Sequence, residues 1–221
     1  LRQLTVSSRL SRDGAECAVW GVGGGDGPSL ELLKKRVNFG SAVKCGDWIS
    51  AVNGSDVLIL PLPMTRDGVR LNVVPTEEFC PLPDTDLRLT ELINRTRENT
   101  LILGGKIPPS FCRLAGEKRI KVRDYYESEE FQIKNAVPTA EGAVAAAMEA
   151  LPVTLAESNC AVVGYGRIGR TLATRLLGLK TNVTCVARSI KDLSWATCDG
   201  CRTIPLEKFR VDPVGFDVIF N

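Results

Sequence analysis

The chain has 221 residues, 44% hydrophobic and 24% charged, which is average for a globular protein and leaves room for one large or two small domains. Its net charge is +2 with acids and bases interleaved, so nothing points to a nucleic-acid surface or a membrane patch. No apolar run approaches the roughly 18 residues of a membrane span and no signal peptide opens the chain, so a cytoplasmic protein is expected.

Residues 2–12 carry Leu4 and Leu10 among polar neighbours and end at Asp13-Gly14, which predicts a helix and its stop. Residues 17–22 form a short apolar strand. The order helix then strand implies a first strand upstream of Leu1. Residues 21–27, GVGGGDG, precede a helix with Ser29 near its cap and so invite a phosphate-loop reading. They lack the Gly-Lys-Ser/Thr ending of a Walker loop and the spacing of a dinucleotide loop, so a flexible connection is expected. Residues 48–52 are helical in pattern, and residues 57–60 make a strand stopped by Pro61 and Pro63. Residues 64–83, rich in Pro, Asp and Thr, read as a long irregular connection of the kind that serves as a functional loop or lid.

An amphipathic helix follows at residues 87–97, then a strand at 101–103 with Gly104-Gly105 as its turn. Lys106 stands just past that turn, at a strand's carboxyl end, where ligands of open α/β sheets collect; the other reading is an ordinary solvated lysine. A short helix at 110–115 and a strand at 120–126 complete a first region in which helix and strand alternate, the pattern of a parallel sheet with helices on both faces. Residues 135–142, NAVPTAEG, lead into an alanine-rich helix over 143–151. Pro138 near a helix start, with Thr139 and Glu141 in the first turn, is sound capping chemistry. The same segment lies where two domains are expected to meet, a place where polar groups converge on ligands.

The most informative stretch is residues 159–189. The apolar run Cys160-Ala161-Val162-Val163 predicts a buried strand, and Gly164, Gly166 and Gly169 follow in the spacing G-x-G-x-x-G. These glycines provide a tight turn, close approach of backbone to a pyrophosphate, and close packing of helix on strand. A helix with Ile168, Leu172 and Leu176 on one face then offers its N-terminal amides to the phosphates and stops at Gly178. Residues 182–187 alternate and are rich in Val and Thr, as a second parallel strand should be. Strand, glycine loop, helix and strand in this order predict a dinucleotide site built from Gly164, Tyr165, Gly166, Arg167, Ile168 and Gly169. About 20 positions past the motif, an acidic residue would bind the ribose 2′-hydroxyl of NAD; this chain has Arg188, then Ser189 and Lys191. A cation with a hydroxyl suits a 2′-phosphate, so NADP is expected ahead of NAD, the alternative for Arg188 being a plain solvated arginine.

Of the eight cysteines only Cys198 and Cys201 form a C-x-x-C, and with no second pair and no histidine a reduced pair is expected and no metal site. The absence of histidine also removes Ser-His and Cys-His nucleophile pairs. The fold expected is α/β, two Rossmann-like domains with parallel sheets: an N-terminal domain over 1–137 lacking its first strand, and an NAD(P)-binding domain over 138–221. Strands near Val162, Val183, Ile204 and Val218 are fewer than the six of a full doubly-wound sheet, so the second is expected to be truncated and the chain a fragment of a longer protein.

The segment NAVPTAEG at 135–142, leading through an alanine-rich helix into VVGYGRIGRTLA at 162–173, resembles the A subunit of dipicolinate synthase from endospore-forming bacteria. The opening LRQLTVSSRL resembles the stretch after that family's first strand, and residues 216–221 resemble the fourth strand of its nucleotide domain. The resemblance implies a protein that acts with a smaller, flavoprotein-like B subunit during sporulation. The pair would oxidise a cyclic dicarboxylate intermediate of the dihydrodipicolinate pathway to pyridine-2,6-dicarboxylate. It implies a nicotinamide-nucleotide site, and such an oxidation needs a hydride acceptor and a proton acceptor near one substrate. On this reading Glu141 is the acid/base candidate, Asn135 and Thr139 hydrogen-bond a substrate carboxylate, and Arg2 or Lys106 pairs with a carboxylate. An oligomer is expected. Two alternatives stand beside it: a 2-hydroxyacid-type NAD(P)-dependent dehydrogenase whose catalytic groups lie beyond Asn221, and a non-catalytic nucleotide-binding protein that regulates a partner.

Overall fold

The computed structural model describes residues 2–20, 43–44, 47–73, 86–211 and 215–221, the backbone alone for residues 2–4, 43 and 44. The chain divides into two compact units, Leu1–Glu127 and Ser128–Asn221. Each carries parallel strands and helices in alternation, so the architecture is α/β with two Rossmann-like units. No helix among the described residues is long and apolar enough to cross a membrane.

The first unit opens with α1 (Arg2–Arg12), β1 (Ala18–Val19), β2 (Val43–Lys44) and α2 (Trp48–Val52). β1 and β2 pair in parallel. The Asp47 side chain accepts the Ser50 N–H at 2.7 Å and so starts α2. The main sheet of this unit consists of β3 (Val57–Ile59), β4 (Leu101–Gly104) and β5 (Lys121–Asp124), all parallel and in that order. Its crossovers include α3 (Leu89–Arg95) and α4 (Pro109–Glu117), and α4 begins on Pro109, whose fixed φ and missing N–H suit a first helical position. Leu58, Met64, Leu92, Ile93, Ile102, Phe111 and Ala115 fill the core between sheet and helices.

The glycine-rich stretch 21–27 and the helix expected after it lie outside the described residues, as does the 74–83 half of the long connection. Its described half is tied down: Met64 is fully buried, Asn72 donates its N–H to the Met64 carbonyl, and Asp67 accepts the N–H groups of Val69 and Arg70. The strand expected over 120–126 is shorter, because Tyr125–Glu127 turns as a 3₁₀ helix.

The second unit begins with α5 (Glu129–Ala150), followed by β6 (Asn159–Val163), α6 (Arg167–Gly178), β7 (Asn182–Ala187), α7 (Ile190–Cys198), β8 (Arg202–Pro205), α8 (Leu206–Val211) and β9 (Val218–Phe220). Its sheet runs β8-β7-β6-β9, every pair parallel. Relative to chain order this is 3-2-1-4, the arrangement in which the winding reverses between the first strand and the fourth. That reversal leaves a crevice outside the carboxyl ends of β6 and β9, where open α/β sheets bind ligands.

α5 corrects the sequence expectation for Pro138. The proline is not near a helix start but inside a 22-residue helix capped by Ser128, whose Oγ accepts the Phe131 N–H at 3.3 Å. Ser128 with Glu129 and Glu130 behind it is the true start, a capping serine with acids in the first turn. Ala140 and Ala147 share a core cluster with Leu172, Ala173 and Leu176 of α6, and their small side chains let the two helices approach closely. Burial of Leu172 and Leu176 stabilises this packing by about 1.5–3 kcal/mol each.

Candidate functional site

The glycine loop leaves the carboxyl end of β6 and enters α6. The Gly164 N–H donates to the Val186 carbonyl at 2.7 Å, which extends the pairing of β6 with β7 by one residue, and the backbone then turns at φ +97°, a conformation glycine adopts freely. Gly169, on the first turn of α6, packs against that turn so closely that a Cβ there would lie 1.9 Å from the Gly164 carbonyl oxygen. Gly166, the residue before α6, is different: a Cβ built on it would meet nothing within 4 Å. One glycine is therefore required by the fold, while the other keeps open the space in front of the helix N-terminus. The N–H groups of the first turn have no acceptor within the helix and carry the positive end of its dipole. This is a cradle that fits a pyrophosphate.

The outer side chains of the loop have partners of their own. Tyr165 is buried, and its hydroxyl donates to Asp199 Oδ2 at 2.6 Å. Burial first, and the Asp199 carboxylate second, push the phenol well above its ordinary pKa. The same hydrogen bond, with Arg170 Nε 3.0 Å away, holds Asp199 below the ordinary carboxylate range. The Arg170 guanidinium also lies over the Trp195 ring, 5.0 Å from its centroid. Arg167 is held by Glu129 through two hydrogen bonds, one of them 2.8 Å from Nε to Oε1, which lowers the Glu129 pKa. Ile168 is 40% exposed, so of the expected apolar face of α6 only Leu172 and Leu176 belong to the core.

Arg188 and Ser189 follow β7 on the same edge of the sheet as the glycine loop. Arg188 is exposed and makes no ion pair with a described residue, in contrast to Arg167, Arg170 and Arg175. Ser189 caps α7 by accepting the Asp192 N–H at 3.4 Å, which leaves its own O–H hydrogen to donate. Deeper in the sheet, Cys185 and Cys201 are both buried and hydrogen-bonded through their thiols, an interaction that pushes Cys185 up and Cys201 down. Cys201 thus has its contact with Cys185, a residue outside the C-x-x-C.

The expected substrate-side residues do not converge. The Thr139 hydroxyl donates to the Asn135 carbonyl at 2.8 Å, one turn back, so these two share a face of α5. Glu141, two residues on, is turned roughly 200° away from Thr139. It pairs with Arg175 Nη2 at 3.1 Å, two turns along α6 from the glycine loop. Lys106 belongs to the first unit: it follows β4 at φ +57°, is exposed, and lies 5.0 Å from the centroid of the Tyr126 ring. The Arg2 side chain lies outside the described residues. What residue-by-residue reading missed was the use of the Tyr165 hydroxyl and the partners Asp199 and Glu129, which lie 34 and 38 residues from theirs and carry no local signal.

The family model for the N-terminal domain of the A subunit of dipicolinate synthase matches residues 1–126. The chain is 26% identical, over 215 residues, to the dipicolinate synthase A subunit of Bacillus subtilis strain 168, an alignment covering 90% of this chain and 70% of that protein. Among solved structures, the same subunit of dipicolinate synthase from Bacillus subtilis is 25% identical with a TM-score of 0.66, covering 99% of this chain and 68% of its own. Its counterpart from Bacillus halodurans is 22% identical with a TM-score of 0.72, covering 99% and 69%. A transhydrogenase from Sinorhizobium meliloti shares the fold at 12% identity and a TM-score of 0.58, covering 98% of this chain and 63% of its own.

Proposed function

We propose, starting from a chain that belongs to the family of dipicolinate synthase A subunits, that its second unit is the nicotinamide-nucleotide site of that synthase and takes NADP(H). The observation that carries this reading is the glycine loop, closed at Gly169 and open at Gly166, with Arg188 and Ser189 on the same edge of the sheet. Gly164 to Gly169 would hold the pyrophosphate at the N-terminus of α6, chiefly through backbone, since the Tyr165 and Arg167 side chains already have Asp199 and Glu129 as partners. Arg188, with the Ser189 hydroxyl, would hold the 2′-phosphate.

The reaction is the oxidation of a cyclic dihydrodipicolinate-pathway intermediate to pyridine-2,6-dicarboxylate in the cytoplasm of a sporulating cell, carried out together with a B subunit. Two hydrogens leave the ring, and a nicotinamide held at the glycine loop would supply the acceptor for the one that leaves as hydride. The other leaves as a proton, and Glu141 is the candidate base. Asn135 and Thr139, on the face of α5 turned away from Glu141, are one candidate seat for a substrate carboxylate, and Lys106 and Arg2 of the first unit are separate candidates.

Reconstitution of the full-length protein with its B partner tests this reading. The expected result is pyridine-2,6-dicarboxylate formed from the product of dihydrodipicolinate synthase only when nicotinamide nucleotide is supplied. Formation that is independent of the nucleotide, or none with both proteins present, overturns it.

A further inference from the structure

At the carboxyl edge of the first unit's sheet, Asp124 ties the turns after β4 and β5 together. Its Oδ1 accepts the N–H groups of Lys106 at 3.2 Å and Tyr126 at 2.7 Å, and its Oδ2 accepts the Ile107 N–H at 2.8 Å. The end of β3 is locked to the same place, because the Tyr125 hydroxyl donates to the Leu60 carbonyl at 3.0 Å. Gly105 is packed so tightly that a Cβ would lie 2.5 Å from Leu62 and 2.9 Å from Tyr125. Within this frame Lys106 adopts φ +57°, rare for a residue with a side chain, and such conformations persist where surrounding contacts over-determine them. The Lys106 ammonium rests over the Tyr126 ring, exposed and without a carboxylate partner among the described residues.

Asp124 occupies the N–H groups of the turn, so an incoming anion cannot use them. What the turn offers instead is the ammonium of Lys106, its backbone fixed by Asp124 and its head steadied by an aromatic face. We propose that this edge is a carboxylate seat in which Lys106 binds one carboxylate of the substrate, with Asp124 and Tyr126 as positioning residues that act through Lys106. The proposal rests on the dicarboxylate reading above.

The test is calorimetric titration of the full-length protein, with its partner present, using pyridine-2,6-dicarboxylate at low and high salt and NADPH in parallel. Lys106→Gln removes the charge and keeps the backbone demand, so it should weaken dicarboxylate binding roughly tenfold, flatten its salt dependence and leave NADPH affinity unchanged. Tyr126→Phe should bind as wild type, and Tyr126→Leu and Asp124→Asn severalfold more weakly. In turnover the losses should appear in KM, with kcat little changed. If wild type binds the dicarboxylate and Lys106→Gln binds it equally well, the seat is overturned while the dicarboxylate reading stands. If wild type binds NADPH and no dicarboxylate, both fall.

Discussion

Gly166 and Gly169 stand three residues apart in one motif and differ in what a methyl group would meet. Gly169→Ala drives a Cβ into the Gly164 carbonyl, backbone that cannot step aside, and should cost about 1–3 kcal/mol of stability measured by denaturant titration. Gly166→Ala has free space and an ordinary φ of −81°, so stability should stay within about 0.5 kcal/mol. If that space receives phosphate, the same variant should nevertheless lose most of its nucleotide affinity. Tyr165 makes a prediction in pH. Up to about pH 10 the folded and the unfolded chain both keep the phenolic proton. Above that the unfolded chain releases it while the folded one, its pKa raised, does not, so stability should fall as pH rises, by up to about 1.4 kcal/mol per pH unit from this group. Tyr165→Phe should remove that part of the alkaline slope. Melting curves between pH 9 and 11 with the same slope in both proteins would contradict the assignment.

Elements with a strong local pattern were legible in the sequence, and those defined by distant partners were not. β7 spans residues 182–187 as its alternation predicts, and α6 stops at Gly178 as expected. α5 runs past the boundary that a proline usually marks, because tertiary packing of Ala140 and Ala147 carries the helix through Pro138. The same helix sets a limit on Glu141, which its rotation turns away from Thr139 and toward Arg175. Glu141→Gln should keep the fold, since an exposed ion pair contributes little. If the carboxylate is the proton acceptor, kcat should drop at least about 100-fold with NADPH affinity unchanged. Unchanged turnover in the reconstituted enzyme would leave Glu141 as the partner of Arg175 alone.

At the scale of the whole molecule, two units of one class differ in detail: one parallel sheet carries Lys106 past its carboxyl edge, and the other reverses its winding beside a glycine loop. The class of both was readable from alternating helix and strand, and the strand, glycine loop and helix of the second unit from spacing and context. Which of the candidate substrate residues share a face was not, because that depends on helix rotation and on distant partners: Thr139 turns toward Asn135 and Glu141 toward Arg175. The central claim is that the second unit binds a nicotinamide nucleotide through the glycine loop and reads its 2′-phosphate with Arg188. Fluorescence titration of the full-length protein with NADPH and NADH, for wild type and Arg188→Ala, tests it most directly. The account predicts tighter binding of NADPH by wild type, and a loss of at least about tenfold in Arg188→Ala that brings NADPH down to the level of an unchanged NADH. Equal affinity for the two nucleotides in wild type, or no binding of either, would contradict it.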